Sequence, residues 1–145
     1  MPRVQLQPLD AYPFRMHQSV RTTDLNYGGH LGNDRLLSLV HEARVAWLAS
    51  HGWSELDCAG ASLIMADAAV VYQGEGFAGD ELAFELGAVE AGRSGFRLAC
   101  RVTRPRPDGG ADPIALVETG LVSFDYAARR IARLPAAVAA VCGEP

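Results

Sequence analysis

TDLNYGGHLGNDRLLSLVHEAR, residues 23–44, joins two kinds of sequence without a break. Its first half is a polar turn holding Asp24, Asn26, Gly28, Gly29, His30 and Gly32, and its second half has the 3.6-residue periodicity of an amphipathic helix. A carboxylate, an amide and an imidazole therefore fall within seven residues just before a helix N-terminus. The first N–H groups of a helix have no partner within it, and together with the helix dipole they favour an anion. Glycines let backbone approach a ligand closely and supply any positive φ the turn needs. Taken alone, the stretch describes equally a binding site and a capped helix start with Asn33 or Asp34 as the cap.

The spacing predicts a helix over 33–50. Leu36, Val40, Ala43 and Trp47 follow one face, and Leu37, Leu39 and Leu48 widen it, as a helix embraced by a curved sheet requires. Asp34, Ser38, His41 and Glu42 occupy the other side, and Gly52 suits a left-handed cap just past the end. Glu42 reads first as a surface charge or the partner of a nearby arginine, and second as a catalytic group. Before the turn, 14–23 reads as a strand whose apolar contacts are Phe14, Met16 and Val20, with His17 at the surface or an interface. Residues 1–13 carry prolines and little periodicity and read as an arm.

After the helix the period changes. Residues 62–73 are apolar-rich and strand-like. In 81–90, Leu82, Phe84 and Leu86 alternate with Glu81, Ala83 and Glu85. A Gly92–Gly95 turn leads to a second alternating run, Phe96, Leu98, Cys100 and Val102, so the two form a hairpin. A turn-rich loop is expected over 104–113, a strand over 114–126, a short one over 131–134, and a short helix after Pro135. One early helix followed by hairpin-linked strands is an α+β arrangement within a single domain, 1–145. A curved sheet around one helix leaves edges and an outer face that a second copy can cover.

Composition sets the limits. The chain has 145 residues, 49% hydrophobic and 21% charged, which is enough for one core burying roughly 70% of the unfolded surface. A formal charge of −4 argues against nucleic acid or an anionic membrane as the main partner. All 13 basic residues are arginine, so Schiff-base chemistry and a phosphate-loop lysine are excluded from this chain. Cys58, Cys100 and Cys142 have unrelated neighbours and form neither a disulfide framework nor a zinc signature. No HExxH, paired-cysteine or EF-hand spacing occurs, so no metal is expected; Ser94 lacks the G-x-S-x-G setting, and the glycines at 28, 29 and 32 do not form G-x-G-x-x-G. No apolar run suits a signal peptide or a membrane span, and a cytoplasmic location is expected. Arg104 and Arg106 flank a PRPDGG loop; such arginines are usually solvated, though they can also meet phosphates.

The order Asp24-Leu25-Asn26-(x3)-His30-Leu31-(x)-Asn33, then Leu36-Leu37 and His41-Glu42-Ala43-Arg44, resembles the hotdog-fold acyl-CoA thioesterases of the 4-hydroxybenzoyl-CoA thioesterase-like branch. The similarity continues through Tyr72, Gly79-Asp80 and Leu134-Pro135. It implies a long central helix wrapped by a curved, mainly antiparallel sheet, in a homodimer or homotetramer with active sites between subunits. It implies no cofactor, coenzyme A entering only as part of the substrate. One departure stands out: the family's second turn aspartate, usually the catalytic carboxylate, falls on Asn26.

Thioester hydrolysis needs an activated water or a carboxylate nucleophile, and donors for the oxyanion on the acyl carbonyl. The resemblance places the donors on Gly28, Gly29 and the helix start. An amide at Asn26 cannot take a proton but can hold a water or a carbonyl. The base is then Asp24, two residues earlier, or His30, since imidazoles as a class titrate near neutrality. Glu42 is the next candidate after these. Two other readings use the same residues: a non-catalytic acyl-CoA-binding protein, and a hydratase or dehydratase of the same fold.

Overall fold

A computed structural model describes residues 1–144. In chain order the elements are β1 (Phe14–Ser19), a 3-10 turn (Thr22–Asp24), α1 (Asn33–Ser50), β2 (Ser62–Tyr72), β3 (Glu81–Val89), β4 (Gly95–Pro105), β5 (Ala111–Asp125), β6 (Arg130–Ile131) and α2 (Ala136–Ala140). The strands form one sheet in the order β1-β3-β4-β5-β2, with β6 added to β5, and every strand pair is antiparallel. This is the expected hotdog arrangement.

Period-two alternation puts Leu82, Phe84 and Leu86 of β3, Phe96, Leu98, Cys100 and Val102 of β4, and Ala115, Val117 and Leu121 of β5 in one buried core. The 18-residue α1 lies in that core and buries Leu36, Leu39, Val40, Ala43, Trp47 and Leu48. Trp47 is only 4% exposed and packs on Phe96 with ring centroids 5.9 Å apart. Each large side chain so buried contributes roughly 1.5–3 kcal/mol, and this burial is what fixes the helix against the sheet. Cys58 and Cys100 are fully covered by the same core.

The other sheet face is charged. Arg97 bridges Glu118 at 2.8 Å and Asp67 at 2.7 Å, and Arg101 reaches Glu85 at 3.1 Å. The arm crosses this face without regular structure. Leu9 lies over Gly87, where a Cβ would push the leucine side chain aside, and the Arg101 guanidinium sits 4.7 Å from the Tyr12 ring centroid. β2 is a long open edge with a bulge between Met65 and Asp67, and Met65 is half-exposed.

Several local expectations are corrected. The first strand ends at Ser19 rather than reaching residue 23, because Asp24 accepts the backbone N–H of Arg21 and winds the next residues into a 3-10 turn. Neither Asn33 nor Asp34 caps α1; the cap position is Gly32, and no side chain serves it. The expected 104–113 loop shortens to 106–110, for β4 runs to Pro105 and β5 starts at Ala111. Cross-strand ion pairs sustain that hairpin: Arg104 holds Asp80 and Asp112, and Arg106 holds Asp108 and Asp112. The two arginines are thus neither merely solvated nor free for phosphate. The short strand expected over 131–134 contracts to Arg130–Ile131.

Candidate functional site

The turn is built around Asn26. Its Oδ1 accepts from Gly28 N at 2.9 Å and His30 N at 3.4 Å, its carbonyl accepts from Gly29 N at 3.1 Å, and its own N–H reaches His30 O at 2.8 Å. The chain reverses at Gly29, whose φ of +81° is the left-handed region that glycine tolerates. The Gly28 and Gly29 N–H groups, expected to face a ligand, thus already have acceptors inside the turn.

Asp24 is 1% exposed, and its carboxylate is engaged by Arg21. Its carboxylate takes the backbone N–H of Arg21 at 2.9 Å and the guanidinium of Arg21 through two bonds of 3.1 Å. The Arg21 hydrogen bonds hold the Asp24 carboxyl below the usual range against the opposing effect of burial. A carboxylate so engaged is a weak proton acceptor.

His30 is differently placed. Asn26 Nδ2 lies 3.5 Å and Leu31 O 3.4 Å from its Nδ1, while Nε2 is 3.9 Å from Glu75 Oε1. His30, Gly32 and Asn33 form one wall of a cavity of about 260 Å³, and Tyr72, Gly74, Glu75 and Gly76 face them, with Leu36 and Ile114 lining it as well. Of the sequence-predicted residues Asp24, Asn26, Gly28, Gly29 and His30, only His30 lines this cavity. Asn26 supports it from behind. Glu42 lies apart, exposed, in a separate depression that it lines with Gln18 and Arg21.

Of the opposite wall, sequence reasoning named only Tyr72, within the resemblance and with no role, and missed Gly74, Glu75 and Gly76. Tyr72 donates its hydroxyl to Asn33 O at 2.9 Å, tying the end of β2 to the first turn of α1, and Leu31 N donates to Gly76 O at 2.7 Å. Burial pushes the Tyr72 phenol up, with the Asp34 charge adding to the effect. Only the glycines flanking Glu75 could have signalled a close approach of backbone here.

The start of α1 reaches the cavity at Asn33. Among the first N–H groups of α1, Leu36 N is satisfied by Gly32 O, and those of Asn33, Asp34 and Arg35 have no acceptor among the described residues. Of these three residues Asn33 lines the cavity, which places the helix start, with its preference for an anionic oxygen, at that wall. Among the described residues no cluster of three or more His, Cys, Asp or Glu is placed to hold a metal ion, and no helix is long and apolar enough to cross a membrane.

A family model described as thioesterase-like superfamily matches residues 20–141. A thioesterase from Thermus thermophilus, solved with coenzyme A and Zn, is 29% identical, with a TM-score of 0.75 over 91% of this chain and 93% of that one. A 1,4-dihydroxy-2-naphthoyl-CoA thioesterase from Synechocystis is 24% identical, with a TM-score of 0.70 over 84% of this chain and 89% of its own. The 4-hydroxybenzoyl-CoA thioesterase of Pseudomonas sp. strain CBS-3 is 17% identical, with a TM-score of 0.77 over 91% of this chain and 100% of its own. The last two likenesses are likenesses of fold. No curated protein matches the sequence.

Proposed function

The chain belongs to the thioesterase-like superfamily, and from that premise we propose that it hydrolyses an acyl-CoA thioester to the free acid and coenzyme A at the cavity beside His30. The observation that carries the reading is the meeting, in one cavity, of an imidazole and the start of α1 at Asn33, whose N–H is unpaired among the described residues. The thioester carbonyl oxygen lies against that helix start, which stabilises it best when it becomes an oxyanion. Gly28 and Gly29 shape the turn rather than donate to the substrate.

His30 is the base. With its Nδ1 proton shared with Leu31 O, its Nε2 lone pair faces the cavity and takes a proton from the attacking water. Water oxygen bonds to the acyl carbon, the carbon–sulfur bond breaks, and the proton held on Nε2 passes to the departing thiolate sulfur. Asn26 fixes the imidazole through the turn, whose backbone N–H groups its Oδ1 accepts. Asp24 holds the turn in register. Coenzyme A enters only as part of the substrate, and no further cofactor is needed for this sequence of bond changes.

The assembly we propose is at least a homodimer. Its support is the open, partly apolar β2 edge, whose unpaired backbone groups suit strand addition by a second copy.

The test is thiol release from short, long and aromatic acyl-CoAs by the purified protein. His30→Ala should lower kcat about 10²–10⁴-fold, whereas Asn26→Asp, which restores the family's carboxylate, should keep or raise activity. A folded protein that bound an acyl-CoA yet released no thiol from any would replace hydrolysis with binding alone.

A further inference from the structure

We propose that Glu75 is a catalytic carboxylate of this site, the second acceptor that holds the attacking water against His30. The proposal rests on the hydrolase reading above and deepens it, for no residue of the glycine turn supplies this group. Asn26 is neutral, and the Asp24 carboxylate is spent on Arg21. Among the described residues lining the cavity, Glu75 is the one carboxylate.

Glu75 is held by its backbone. Gln73 N and Gly74 N both donate to Ile114 O, at 2.9 and 3.1 Å, Leu31 N donates to Gly76 O at 2.7 Å, and Arg104 Nη1 donates to Glu75 O at 2.9 Å. Gly74 passes so close to Pro113 O that no Cβ fits between them. A segment anchored on both sides and at its centre places the Glu75 side chain over His30, although that side chain is itself largely exposed.

The separation of Glu75 Oε1 and His30 Nε2 is 3.9 Å. That is too long for a direct hydrogen bond and suits one water about 2.8 Å from each atom. Such a water donates one hydrogen to Nε2 and the other to Oε1, and turns a lone pair toward the acyl carbon. When Nε2 takes the first proton, the resulting imidazolium lies beside the Glu75 carboxylate, which stabilises it until the proton moves to the thiolate sulfur. Glu75 keeps its negative charge throughout, and the water's second hydrogen leaves with the acid product. The other groups facing this centre do not compete: Tyr72 is bound to Asn33 O, and Arg104 is turned toward Asp80, Asp112 and the Glu75 carbonyl.

The experiment compares wild type, Glu75→Gln and Glu75→Asp on the best acyl-CoA from the panel, with binding of a non-hydrolysable thioether analogue of that substrate measured alongside. Glu75→Gln keeps the size of the side chain and should lose about 10²-fold or more in kcat, with analogue affinity within about threefold. Glu75→Asp keeps the charge and should retain at least about tenfold more activity than Glu75→Gln. Wild-type-like turnover by Glu75→Gln, equal losses in the two variants, or a loss confined to KM and analogue affinity would each overturn the proposal while leaving hydrolysis standing. A wild-type protein inactive on every acyl-CoA would instead overturn the hydrolase reading, and this one with it.

Discussion

Asp24→Asn separates a structural carboxylate from a catalytic one. The substitution is nearly isosteric and leaves an oxygen for the Arg21 backbone N–H, but it removes the charge at a site only 1% exposed and turns an amide N–H₂ toward a guanidinium that also only donates. Hydrogen bonds to charged groups contribute about 1.5–3 kcal/mol. The Arg21 side chain is 67% exposed and regains water when released, so we take a net loss of roughly 2 kcal/mol. For a domain of this length that lowers Tm by about 4–8 °C. The sign with pH follows from the lowered folded-state pKa of Asp24. Its stabilisation is complete above the unfolded carboxylate value of about 3.9 and is lost as pH falls through the lower folded value. Melting curves of wild type and variant should therefore lie apart at pH 7 and converge in acid. Measured well below either Tm, kcat should stay within about tenfold of wild type. An unchanged Tm joined to a loss of about 10²–10⁴-fold in kcat, the size expected for a missing general base, would refute the assignment and make Asp24 the base.

Phe84→Ala should cost about 3–5 kcal/mol, because Phe84 is fully buried at the centre of β3, and denaturant unfolding reads the change. Gly74→Ala should lose activity with only a modest fall in Tm, since the new methyl collides with Pro113 O and the loop before β3 must move away from His30. Sedimentation at micromolar concentration should show a species of at least twice 15.5 kDa; a single 15.5 kDa species would contradict strand addition at β2.

The fold was legible where periodicity and burial coincide. Leu36, Val40, Ala43 and Trp47 repeat at helical spacing because one face of α1 is buried, and Leu82, Phe84 and Leu86 alternate because β3 has one face in the core. Legibility failed where the deciding interaction lies outside the local pattern. Nothing about Asp24 announces that it turns back to Arg21, and the proline- and glycine-rich letters of 104–113 hide cross-strand ion pairs that carry β4 and β5 into both ends of that stretch. In the site, His30 was visible because it lies in the turn. Glu75 was not, because a residue 45 positions away meets His30 only through the register of β2 and β5, which brings Ile114 O to the start of the Gly74–Gly76 segment.

The buried cysteines have a practical consequence. Burial pushes the Cys58 thiol up to about 11 and the Cys100 thiol up to about 12, and it raises that of half-buried Cys142 as well. At neutral pH these groups are protonated, and Cys58 and Cys100 are also shielded from bulky disulfide reagents. The folded protein should therefore add little background to a colorimetric signal from liberated coenzyme A. On unfolding, all three sulfurs become available to the same reagent. One cuvette can then follow turnover under native conditions and, in denaturant without substrate, count the molecules that have lost their core.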